Sequence, residues 1–120
     1  MEVTVKEELE RRMRQFLVHS YIYYELSNNV LSDHNYDFLC KRMVYLMKEY
    51  PEIAIECKYY DICKEADASG SGFYIQDYPP EMITMAFRVL WWDKKDKNPE
   101  FDETFSYFIS RWGRKIERRP

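Results

Sequence analysis

Apolar positions in the first quarter of the chain recur every three or four residues. Leu9, Met13, Phe16, Leu17, Ser20, Tyr24 and Ser27 fall on one stripe and the charges of "KEELERR" fall mostly off it, the period of an amphipathic helix. The spacing predicts one helix over residues 4–27, with Glu7–Arg11 and Glu8–Arg12 as i,i+4 pairs of favourable orientation. "SNNVLSD" then breaks the pattern, with Asn28 or Asn29 available for a left-handed C-terminal position. A second stripe, Tyr36, Leu39, Cys40, Met43, Met47 and Tyr50, begins after a Ser32 or Asp33 cap and stops at Pro51. It predicts a helix over residues 33–50 and, with the first, an αα-hairpin.

The pattern weakens beyond the hairpin. Residues 53–66 suit a third, shorter helix diluted by β-branched side chains. "DASGSG" (67–72) reads as a loop, and "FYIQDY" (73–78) alternates as a short strand would, with no second strand to pair with. A helix follows from Pro80, a residue tolerated in the first turn, with Met82, Met85, Ala86, Val89 and Trp92 on one face. "KKDKNPE" reads as a polar linker, and Phe101, Phe105, Phe108, Ile109, Trp112 and Ile116 make a last amphipathic helix. The expectation is a single all-α domain over residues 1–120, with four to five helices built on the N-terminal hairpin.

Composition and charge narrow the function classes. A net charge of −3 gives no global pull toward nucleic acid. "RWGRKIERR" (111–119) is nevertheless basic. It reads either as cations suited to a helix C-terminus or as a footprint for DNA or an acidic partner, through Arg111, Arg114, Lys115, Arg118 and Arg119. Three cysteines, Cys40, Cys57 and Cys63, without a CxxC read as thiols of a reducing cytosol rather than a zinc site. No apolar run has the length of a signal peptide core or a membrane span, so a cytoplasmic protein with no membrane association is expected. Neither His19 nor His34 accompanies a serine or cysteine in a catalytic context, and "GSGF" lacks the lysine of a phosphate loop. The residues therefore offer no complete active site.

One cluster does carry chemistry. Tyr23 and Tyr24 close the first predicted helix, directly across the turn from Asp33, Tyr36 and Asp37 at the start of the second. Asp33 and Asp37 stand i,i+4 and project from one side. Tyrosine faces stack on planar rings, more strongly on cationic ones, and carboxylates accept from ribose hydroxyls or a carboxamide NH₂. A planar cation on a sugar would suit such a site. Spacing alone also allows a plainer reading, since Tyr24 and Tyr36 lie on core stripes and aspartate at a helix N-terminus is favoured by the helix dipole.

The stretch "HSYIYYELSNNVLSDHNYDFLCKRMVYLMKEYPEI" (19–53) resembles the N-terminal helical segment of NAD⁺-dependent bacterial DNA ligases. Tyr23-Tyr24, Leu31-Ser32-Asp33, Tyr36-Asp37, Leu39, Leu46 and Tyr50-Pro51-Glu52 carry the likeness. The residues themselves suggest no metal site; the resemblance implies a site for the nicotinamide mononucleotide half of NAD⁺. It implies Tyr23 and Tyr36 against the nicotinamide ring, Asp33 and Asp37 toward its ribose or carboxamide, and Tyr24 near the phosphate. The family's KxDG lysine and its "SPTxxVG" stretch are missing, and residues 54–120 match nothing in that family. The expected function is thus a stand-alone module binding NAD⁺ or nicotinamide mononucleotide. It would act in trans with a separate ligase core, or as a small regulatory protein of the kind plausible in a bacteriophage. Two alternatives remain open. One is a protein-interaction module contacting a host or partner protein through Trp91 and Trp92, which stand about 100° apart on a helix. The other is a DNA-binding accessory factor using the basic C-terminal residues.

Overall fold

The computed structural model describes residues 3–66 and 71–117, with side chains described as far as Trp112. The fold is all-α. Among the described residues six α-helices run in order: α1 (Val5–Ser20), α2 (Asp33–Glu49), α3 (Pro51–Ala54), α4 (Tyr60–Cys63), α5 (Pro80–Lys97) and α6 (Phe105–Glu117).

α1 begins at Thr4, whose hydroxyl accepts from the Glu7 N–H at 3.1 Å. It ends sooner than its apolar period suggests. From Tyr21 to Glu25 the backbone continues as a π-turn, in which the Leu26 N–H bonds the Tyr21 carbonyl at 3.1 Å and the Asn28 N–H bonds that of Ile22 at 3.0 Å. The wider turn rotates the side chains that follow. Tyr21, Ile22 and Leu26 are buried, whereas Tyr24 and Ser27, expected on the stripe, lie outside the core. The left-handed residue that ends the element is Ser27, at φ 52°, rather than Asn28 or Asn29.

Ser32, not Asp33, caps α2, its hydroxyl accepting from the Asn35 N–H at 3.1 Å. α2 lies along α1 in the expected hairpin, joined by Arg42 Nε to Glu8 Oε1 at 3.1 Å. Pro51 stops α2 and opens α3 in the position where a missing N–H costs least. The single helix expected over residues 53–66 is instead two one-turn helices, α3 and α4. Phe73–Tyr78 forms no strand, in keeping with the absence of a partner strand among the described residues. Residues 67–70 of the expected loop lie outside the described residues.

α5 runs on through Lys94 to Lys97, so the polar linker is shorter than its composition suggests. Its buried stripe is Met82, Ala86, Phe87 and Leu90, while Met85 and Trp92 are exposed. The helix is therefore rotated from the expected face toward Phe87, which meets Tyr21 edge-on at 6.0 Å. α1 is the central element: Leu9, Met13, Phe16, Leu17, Val18 and Ser20 are all buried, against α2, α3, α4 and α5. α6 packs on α5, Phe105 meeting Trp91 edge-on at 5.9 Å and Trp112 lying 6.5 Å from Phe87, with Phe108 fully buried beside them. No helix among the described residues is long and apolar enough to cross a membrane.

Candidate functional site

The turn between α1 and α2 gathers the aromatic cluster. Tyr36, on the first turn of α2, is half-buried and points back at α1. Its hydroxyl lies 2.7 Å from Ser20 Oγ and accepts the Gly72 N–H at 3.1 Å. Burial raises its phenol pKa well above the usual value, so the hydroxyl stays neutral and keeps these bonds. Tyr36 forms near-parallel pairs with two rings of α1 and its π-turn. Phe16 lies at 6.5 Å and 20°, and Tyr23 at 6.3 Å and 14°. Phe16 is fully buried and Tyr23 is 44% exposed, so the ring series runs from core to surface.

Tyr23, Tyr36, Asp33 and His19 line one cleft, together with Asn28, Asn29, Val30 and Leu31. The cavity is about 10 Å³, room for about one water. A flat ring between two others needs two contacts of about 3.5–4 Å, more than the 6.3 Å between the Tyr23 and Tyr36 centres. The residue set suits a planar cation, but the cleft as it stands is closed. Tyr36 is held by Ser20 and Gly72, and Tyr23 is the more exposed wall.

The sequence did not single out His19. It stands one α-helical turn before Tyr23, a spacing that could have found it. Burial lowers its pKa below the ordinary 6.5, so it enters the cleft as a neutral imidazole able both to donate and to accept.

The other two expected ligand residues lie elsewhere. Asp37 is exposed, paired with Lys41 at 2.9 Å, and faces a neighbouring groove of about 400 Å³ lined by Cys40, Val44 and Tyr45. Asp33 and Asp37 thus share a helix side but not a cavity. Tyr24 meets Tyr23 edge-on at 4.8 Å and Phe73 at 5.5 Å.

Trp91 is used internally, its indole N–H donating to the Glu103 carbonyl at 2.8 Å. Trp92 meets it at 5.0 Å and is 52% exposed. Arg111 forms a two-pronged bond to Glu103, at 3.1 and 2.9 Å. Arg114 and Lys115 lie on α6, described there by backbone alone; Arg118 and Arg119 lie outside the described residues. The three thiols are free and buried, and desolvation pushes that of Cys40 up to about 11, which makes it a poor nucleophile at neutral pH. No cluster of metal-ligating side chains occurs among the described residues.

A stretch of the chain has relatives among known proteins. It is 45% identical to a DNA ligase of Thermosipho africanus over 47 residues, 39% of this chain and 7% of the ligase. It is 41% identical to a DNA ligase of Fervidobacterium nodosum over 49 residues, 41% of this chain and 7% of the ligase. A DNA ligase of Pseudothermotoga lettingae matches at 35% over 49 residues, again 7% of its length. The chain carries a DNA-ligase-like segment. It spans about 7% of the length of these curated relatives. No protein-family model matches the chain, and no solved structure matches it.

Proposed function

We propose that this chain is a nicotinamide-nucleotide-binding module of the DNA-ligase type, taking nicotinamide mononucleotide or the same half of NAD⁺. One observation carries the reading: near-parallel Tyr23 and Tyr36 share a cleft with Asp33 and a neutral His19, in a chain with a ligase-like segment. Tyr36 is the fixed wall, tied to Ser20 and Gly72. Tyr23, at the surface on the π-turn, is the wall that moves; π-turns recur at functional sites. A pyridinium between them is attracted by both ring faces. Asp33 accepts from the ribose or the carboxamide, and the uncharged imidazole adds no repulsion to the cation.

Bound ligand would remain half open to solvent, and opening the cleft costs part of the contact energy. Affinity is therefore about micromolar to millimolar, as fits a module that acts in the cytoplasm with a separate adenylation core or that sequesters the nucleotide. Isothermal titration with nicotinamide mononucleotide and with NAD⁺ tests the reading. Both ligands bind in that range, and Tyr23→Ala, at an exposed position that spares the core, weakens binding up to about tenfold, the worth of one stacked ring. Absence of heat for both at millimolar ligand overturns it.

A second reading, a protein-interaction module, is favoured by the exposure of Phe73 at 77% and Trp92 at 52%. A partner captured by the native chain and lost with Trp92→Ala, but not with Tyr23→Ala, would support it.

A further inference from the structure

Asn28 and Asn29 rim the ring cleft, and they also rim a second, larger one. That polar cleft, about 480 Å³, lies at the C-terminal end of α5, with Lys94, Lys97 and Arg111 among its walls. A hollow of about 340 Å³, bordered by Tyr23, Ser27 and the same two asparagines, adjoins both. The surface is thus continuous from the stacked rings, past the left-handed Ser27, to the end of α5.

The electrostatics of the polar cleft favour an anion. Three cations, Lys94, Lys97 and Arg111, face two carboxylates, Asp93 and Glu103. Both carboxylates are engaged: Asp93 by Lys97 at 2.9 Å and Glu103 by Arg111 at 2.9 Å. Lys94 is half-buried and has no acidic partner among the described residues. The C-terminal dipole of α5 accounts for a lysine in the last turn. It does not account for one held partly out of water in a cleft whose acids are already paired. Asn29, exposed on the shared rim, adds an amide NH₂.

We propose that this cleft is the phosphate subsite of the nucleotide whose ring enters beside Tyr23 and Tyr36, with Lys94 as its cationic contact and Asn29 at the ribose–phosphate junction. The inference rests on the nicotinamide reading and extends it. Residues of α5, outside the hairpin, complete a site that the hairpin alone leaves half-built, which is how a free-standing module would hold a whole mononucleotide.

The test is titration of the full chain with nicotinamide mononucleotide and with nicotinamide riboside, which lacks only the phosphate. The mononucleotide binds about five- to tenfold tighter, the order expected of one partly screened charge-assisted contact, and the difference shrinks as salt rises. Lys94→Gln removes that advantage and leaves riboside binding unchanged. Lys95→Gln, a control on the exposed lysine over the Trp91 ring, changes neither. Equal affinity of the two ligands, or a full mononucleotide advantage in Lys94→Gln, overturns the phosphate subsite while the ring site stands. Failure of both ligands to bind removes the ring site and the subsite with it.

Discussion

Two side chains and one glycine fix the rigid wall of the cleft. Ser20 is fully buried, and its hydroxyl is satisfied by Tyr36, which is itself satisfied by Gly72. Gly72 has no room for a side chain: a Cβ there would lie 2.2 Å from Ser20 Oγ, 2.7 Å from Ser20 Cβ and 3.2 Å from the Tyr36 hydroxyl oxygen. Gly72→Ala must push Ser20 or the backbone of its own segment aside, at a cost of about 1–3 kcal/mol, measurable by urea unfolding. Ser20→Ala removes one of the clashing atoms, so the two substitutions together cost less than the sum of each alone; strict additivity would disprove the contact. His19 sets a pH response. Its folded-state pKa lies below the unfolded 6.5, so the unfolded chain binds the proton first. This contribution to stability is whole above about pH 6.5 and is lost as pH falls from there toward the folded value. His19→Gln should flatten the stability profile in that window, and an unchanged slope would place the titration elsewhere.

At the scale of elements, the hairpin shares its buried face with the rest of the fold. α1 buries residues toward α2, α3, α4 and α5 at once. Tyr21 lies between α5 and the preceding loop, edge-on to Phe87 at 6.0 Å and to Tyr78 at 5.0 Å. Tyr59 of the α3–α4 connection donates to Glu81 of α5 at 2.8 Å, a further tie across the fold. Cutting the chain after residue 53 would expose Leu17, Ile22 and Leu26 to water together. Two short helices with one shared seam are marginal in isolation. A peptide of residues 1–53 should therefore show weak, non-cooperative helicity by circular dichroism, whereas the full chain melts in one transition. Full helicity with a cooperative melt in the peptide would mean that α5 is not needed to hold the hairpin.

Over the whole molecule, the extents of 45 × 39 × 24 Å and a radius of gyration of 15.3 Å describe a flat body, wider than the about 13–14 Å of a compact chain this long. α6 packs on α5 at one side of this body. Much of this was legible in the sequence. The stripes of Leu9–Leu17, Leu39–Met47 and Phe105–Trp112, the stop at Pro51 and the start at Pro80 determined four long helices and the hairpin, because helical period and proline geometry act locally. They also brought Tyr23, Asp33 and Tyr36 to one turn. Tertiary structure decided the rest. Whether the π-turn turns Tyr24 outward, whether Asp33 and Asp37 share a cavity, and which face of α5 is buried all depend on neighbours far along the chain. So does the width of the cleft: Gly72, thirty-six residues from Tyr36, pins one ring, and Tyr23 across the gap packs against Tyr24 at the surface. Local spacing fixes which side chains share a face; only packing fixes the distance between faces.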